Sequence, residues 1–268
     1  MRALLQFVIR ETRPSRTRAS WWDLSEIALV AFGFLLYFLV RGAVVDRTSE
    51  ALRNARMVID LQSSLGVWIE PGVQSLMLEA QPLMRVMNFV YFWFDFPLII
   101  VVGLILFWRS RQHYTLLRDS LLISGGIALV VYWTFPVAPP RYMTEWGFID
   151  TLEHFDNLSY QAQSMRPFVN PFAAVPSLHV GWAILLALAL FQASERWIVR
   201  IGGISVLVLQ TVAVVATGNH YLTDAFVGVV VCAVAWAAAR WLQSEGYPRL
   251  RASLMGAERH LSHIEASD

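Results

Sequence analysis

Two short stretches of this chain hold the residue types from which nucleophilic and acid–base chemistry is built. The first is Val175-Pro176-Ser177-Leu178-His179. The second, whose histidine comes 41 residues later, is Gly218-Asn219-His220-Tyr221-Leu222-Thr223-Asp224. An imidazole nitrogen can attack phosphorus, and a carboxylate on the other ring nitrogen fixes the tautomer and stabilises the cation that forms. This makes His220 the candidate nucleophile and Asp224, four residues on and on the same face of a helix, its orienter. His179 suits the protonation of a leaving oxygen and the later deprotonation of an acceptor, because a free imidazole titrates near neutrality. Pro176 favours the first turn of a helix, so the amides of Ser177 and Leu178 are expected at a free N-terminus that binds phosphate oxygens, with the Ser177 hydroxyl as a further donor. The planar fork of arginine matches phosphate; the candidates are Arg141, in Pro139-Pro140-Arg141, and Arg166. Asp95, Asn219 and Tyr221 are candidates for lining the surrounding cavity.

Each feature alone has a plainer reading. A histidine at a helix end is usually a cap or solvated, and a His/Asp pair at four-residue spacing is often a surface pair. The coincidence of two histidine-bearing helix starts with arginines outside them favours chemistry. Asp95 interrupts an apolar run, where a charge costs about 2.5 to 3.5 kcal/mol, so it is expected either protonated or turned into a polar cavity. Gly181 and Gly228 are read as sites of close helix packing. Asp150, Glu153, His154 and Asp156 are read as a solvated loop face, and His113, His260 and His263 as solvated.

The elements that must position these groups follow from composition. The 268 residues are 56% hydrophobic and only 15% charged, with a mean hydropathy of +0.50, whereas a soluble domain carries about 25% charged residues. A membrane-crossing helix needs about 20 mostly apolar residues, and six segments qualify: 24–45, 83–108, 120–135, 176–192, 198–217 and 221–241. The fold class is therefore an all-α membrane protein, a six-transmembrane-helix bundle. The first span is expected to stay as an anchor, because its charged lead and apolar stretch are too long for a signal peptide. From His179 the chain crosses once and returns once before His220, which puts both imidazoles at one membrane level. Fourteen of the 21 arginines lie on one side, which makes that side cytoplasmic. The chain is then integral to the plasma (inner) membrane with both termini cytoplasmic, and segments 46–82, 136–175 and 218–220 face outward. The expected organisation is a cytoplasmic segment 1–23, a catalytic membrane domain 24–242 and a cytoplasmic tail 243–268. Helical spacing over 48–65 suits either a helix on the outer interface or one packed over the bundle. The long outer loop 136–175 suits a lid or a substrate-binding segment.

Several partners are excluded or left open. The single cysteine, Cys232, lies in an apolar run, so neither a disulfide framework nor a cysteine metal site is available. The net charge of +1, without a basic patch interleaved with aromatics, argues against nucleic acid. Oligomeric state is not set by the sequence.

At these residues the chain resembles the type 2 phosphatidic-acid phosphatase superfamily, through Pro176-Ser177-Leu178-His179-Val180 and Asn219-His220-Tyr221-Leu222-Thr223-Asp224. The resemblance implies His220 as nucleophile, Asp224 as its partner, His179 as acid and base, a phosphohistidine intermediate, and no metal or other cofactor. The phosphatase pattern has Ser-Arg where this chain has Ala213 and Val214, and a lysine where it has Ser159 ahead of Arg166-Pro167. Phe135-Pro136-Val137-Ala138-Pro139-Pro140-Arg141, residues 173–180 and the Asn-His-Tyr stretch resemble instead the inositolphosphotransferase branch, whose members make inositol phosphoceramide. The implied partners are a membrane lipid substrate, either a phospholipid or a lipid phosphate, and inositol or another alcohol as acceptor; water in that place would make a phosphatase. The competing class is a non-enzymatic lipid-binding or transport protein on the same scaffold, but the inverted repeats and midplane helix breaks of transporters are not evident.

Overall fold

A lipid-facing segment must satisfy its own backbone hydrogen bonds, and helices do so locally. The computed structural model describes residues 23–42, 46–156 and 171–265. Among these the chain is helical, with an isolated bridge between Val137 and Ala173 in place of any strand. In chain order the helices are α1 (Asp23–Gly42), α2 (Thr48–Ser64), α3 (Glu70–Glu79), α4 (Gln81–Trp93), α5 (Phe96–Arg109), α6 (Arg111–Thr134), α7 (Thr151–Asp156), α8 (Leu178–Ala193), α9 (Trp197–Ala216), α10 (Leu222–Trp241) and α11 (Tyr247–Glu265).

Each of the six apolar segments contains a helix among its described residues, but the helices differ in length. α6, α9 and the helix running on from α10 to Gly256 are each long and apolar enough to cross a membrane; α4 and α5, bent by 48° at their break, reach that length and apolarity only when taken together. α1 and α8 carry shorter apolar stretches. The bend has a local cause: Pro97 has no N–H to donate and its ring crowds the carbonyl four residues back, so α4 stops at Trp93 and α5 restarts at Phe96. Asp95, expected inside a continuous span, thereby stands at the N-cap position of α5. The chain also stays helical past residue 242, through a π-helical turn, Leu242–Gly246, into α11.

The main core joins α5, α6, α8 and α10 through buried Leu106, Leu117, Tyr132, Trp182, Leu186 and Trp236. Large apolar side chains such as Phe32, Ile100, Val130, Ile198 and Phe226 remain exposed, the pattern of a bundle whose outer solvent is apolar. Away from the histidines, Arg118 pairs with Glu26 of α1 and with Asp119, both buried, and Asp119 also accepts a 2.8 Å bond from the Tyr247 hydroxyl of α11. One face of α2 packs against the rest of the fold. Ala51, Asn54, Ala55 and Ile59 are buried, and Asn54 Nδ2 donates to the Pro136 carbonyl at 2.8 Å. Met57 and Leu61 on its other side are exposed. The described parts of the long loop are held down by Val137 N–H to Phe172 O and Ala174 N–H to Val137 O, at 2.9 and 3.2 Å.

Candidate active site

The site forms where α8 and α10 begin, and two glycines let these starts meet. A Cβ on Gly228 would stand 2.1 Å from the Ser177 carbonyl oxygen, and one on Gly181 would stand 2.6 Å from Cys232 Sγ. The approach is sealed by the Ser177 amide, which donates to the Asp224 carbonyl at 2.9 Å. The turn before α10 is fixed as tightly. Gly218 takes φ +67°, and the Val214 carbonyl accepts the amides of both Asn219 and His220 at 3.0 Å.

His220 therefore sits in this turn and not, as the spacing suggested, inside the helix, which starts at Leu222. Asp224 still lies beside it, because its side chain folds back to accept the Tyr221 amide at 2.8 Å, leaving Oδ2 3.5 Å from His220 Nδ1. The shorter contact of Nδ1 is with the Ala174 carbonyl, at 2.8 Å. A carbonyl can only accept, so Nδ1 carries a proton, and in the neutral ring Nε2 then presents a lone pair. That lone pair faces His179 Nδ1 at 3.4 Å. His179 Nε2 in turn faces Asp95 Oδ2 at 3.4 Å, and its ring stacks on Tyr91 with centroids 4.4 Å apart. Two neutral lone pairs opposed in this way would repel; one proton between them resolves the contact.

An open cavity meets this pair, lined by Tyr91, Asp95, Arg141, His179, Asn219 and His220, with Phe96, Tyr132, Leu178 and Trp182 among its apolar walls. Arg141 is aimed by Asn219 Oδ1 and by Asp150 Oδ2, the latter 3.4 Å from its Nε. Asn219 is itself oriented by donating to Thr217 Oγ1 at 2.7 Å.

Of the residues singled out in the sequence, the fold brings together His179, His220, Asp224, Arg141, Leu178, Asp95 and Asn219. Ser177 departs from expectation. Its amide is committed to Asp224, it is fully buried, and it is not among the residues lining the cavity, because the contact with Gly228 presses it into the α8–α10 seam. Pro176 precedes the N-cap, joined to Val175 by a cis peptide bond, and so is not in the first helical turn. Tyr221 is also fully buried, its hydroxyl donating to Ala138 O at 3.1 Å, and it too is not in the cavity lining. Arg166 lies outside the described residues. Asp150, expected on a solvated face, instead pairs with Arg141 and accepts the amides of Leu152 and Glu153 at the start of α7. Tyr91 was missed; in sequence its one signal was a polar tip four residues before Asp95 in the same apolar run. The role of the Ala174 carbonyl has no side-chain signature at all.

A family model described as the PAP2 superfamily matches residues 56–238, which is more than half of the chain and contains every described site residue named above. The chain belongs to the PAP2 superfamily. It is similar to the phosphoinositol dihydroceramide synthase of Bacteroides thetaiotaomicron, 25% identical over 155 residues that cover 52% of this chain and 50% of that protein. The chain thus spans about half the length of this curated relative. No solved structure matches. The family match and this relative together support the inositolphosphotransferase branch of the PAP2 superfamily. Where the phosphatase pattern of the superfamily has Ser-Arg, Ala213 and Val214 are fully buried in this chain, and the arginine in the described cavity lining is Arg141.

Proposed function

We propose that the chain transfers a phospho-head group between membrane lipids at the extracytoplasmic leaflet, through a phosphohistidine on His220. The observation that carries this reading is the opposed pair His220 Nε2 and His179 Nδ1, 3.4 Å apart, each ring engaged by an oxygen at its other nitrogen. His220 Nε2 bonds to phosphorus as the bond from phosphorus to the donor's lipid oxygen breaks, and that oxygen takes the proton held by His179. An acceptor hydroxyl then gives its proton to His179 and bonds to phosphorus as the phosphorus–nitrogen bond breaks. Arg141 balances phosphate charge. Asp224 steadies the cationic His220, and Asp95 keeps Nδ1 of His179 turned toward the reaction. The similarity to a phosphoinositol dihydroceramide synthase supports phosphoinositol as the group transferred and a ceramide-type hydroxyl as acceptor.

The reading includes six spans with both termini cytoplasmic. The six helical segments, their exposed apolar faces and the arginine distribution support it. With Cys232→Ala as background, Thr144→Cys near the site should react with an impermeant thiol reagent on intact cells. Glu195→Cys, at the far end of α8, should not; the reverse pattern overturns the orientation.

Purified full chain, given head-group-labelled phosphatidylinositol, should form a labelled sphingolipid when ceramide is supplied. His220→Ala should remove that turnover by at least about 10⁴-fold while remaining folded. Full turnover in folded His220→Ala defeats the nucleophile, and lipid binding without turnover of any phospholipid or lipid phosphate favours the non-enzymatic class.

A further inference from the structure

The turn that carries His220 is held from both sides. Upstream, Val214 O takes the amides of Asn219 and His220. Downstream, the amides that open α10 should be unsatisfied, since a helix start leaves its first N–H groups without internal partners. Here they are met by side chains from α2 and α3. Glu70 Oε1 accepts the Leu222 amide at 2.7 Å, and Gln62 Oε1 accepts the Thr223 amide at 3.0 Å and its hydroxyl at 2.8 Å. The two braces are joined to each other, Gln62 Nε2 donating to Glu70 Oε1 at 2.6 Å, and Glu70 Oε2 accepts the Ile69 amide at 3.0 Å. Both side chains are fully buried. Among the described residues no cation pairs with Glu70, so it is a buried carboxylate held by neutral donors and by the positive end of α10. Burying such a group is costly, and an apolar pair of similar volume would fill the space.

We infer that Glu70 and Gln62 are positioning residues for His220: from outside the histidine-bearing helices they fix the start of α10, and through it the imidazole two residues upstream of Leu222. The inference rests on the reading of His220 as nucleophile, and it explains what α2 and α3 contribute to a site they do not line. Positioning of this kind acts on the rate of the reaction, because a displacement of about 1 Å can cost about 10²-fold, while lipid binding in the cavity is left alone.

The test exchanges the pair. Gln62→Glu sets two carboxylates against each other where a 2.6 Å bond now stands. It should lower kcat about 10²-fold with KM for the lipid unchanged. It should also change the rate at which diethyl pyrocarbonate modifies His220, read by peptide mass spectrometry. Glu70→Gln alone keeps an acceptor for Leu222 and should have a small effect. The double variant Gln62→Glu/Glu70→Gln restores a donor–acceptor pair and should recover both readouts, a non-additivity that general destabilisation does not give. Unchanged kcat and His220 reactivity in Gln62→Glu, or a double variant no better than Gln62→Glu, overturns the inference. Where Gln62→Glu does not fold, Glu70→Asp, one methylene shorter, carries the test with the same two readouts, and unchanged values overturn it. Wild type and His220→Ala assayed alongside report separately on the nucleophile, and the His220 modification rate reports on positioning whether or not turnover occurs.

Discussion

The two histidines stand at the starts of two helices that touch, yet they are held in opposite ways. At the start of α10, His220 is fixed by backbone: Ala174 O takes its Nδ1 proton, Val214 O takes its amide, and the helix beyond is capped by Glu70 and Gln62. At the start of α8, His179 is held by side chains from the broken α4–α5 pair, with Tyr91 against its ring and Asp95 at its Nε2. Its side chain is also the more open, 16% exposed against 6% for His220. Backbone contacts permit one tautomer and little movement, which suits a group that must form a bond along one line. A carboxylate and a stacked ring tolerate both protonation states, which suits a group that gives and takes a proton. The contrast supports the division of roles proposed above.

Removing each group in turn can break this division. His179→Ala should lower turnover by roughly 10² to 10⁴, less than the loss from His220→Ala, and head-group label should still be trapped on the protein before the acceptor step. A near-normal rate would take His179 out of the mechanism. Asp95→Asn should cost less than His179→Ala, and combined with it should add nothing further, because Asp95 acts through the ring that is already gone. Additive losses would instead give Asp95 a direct contact with substrate.

The same contrast explains what could be read from the sequence. The six helical segments were legible because apolar runs near 20 residues have few other outcomes, and the histidines were legible because two motifs met at one depth. Their surroundings were harder to read. Asp95 looked like a charge inside a span until Pro97 is seen to break the helix beneath it. Ser177 looked like a phosphate donor, but the Gly228 contact turns it into the seam. The hold on His220 is built from the carbonyls of Ala174 and Val214 and from Glu70 and Gln62, about 150 residues away in sequence. Backbone acceptors carry no residue signature, and a buried Glu capping a distant helix looks, in sequence, like any other Glu beginning a helix.

The smallest substitution probes the contact on which both histidines depend. Gly228 passes so close to Ser177 that an added Cβ would lie 2.1 Å from its carbonyl oxygen and 3.0 Å from its carbonyl carbon. These are backbone atoms, so no side-chain rotation relieves the clash and the starts of α8 and α10 must separate. Gly228→Ala should therefore lose about 1 to 3 kcal/mol of stability and also lose turnover per folded molecule. Gly203→Ala is the matched control: its Cβ meets Ala187 Cα at 3.1 Å where α9 crosses α8, in the body of the bundle and away from both rings. It should destabilise, measured by thermal unfolding in detergent, without changing kcat of the folded fraction. Equal kcat in the two variants would mean that the distance between the imidazoles is set by their own partners and not by the helix approach. In that case the α8–α10 seam contributes stability alone.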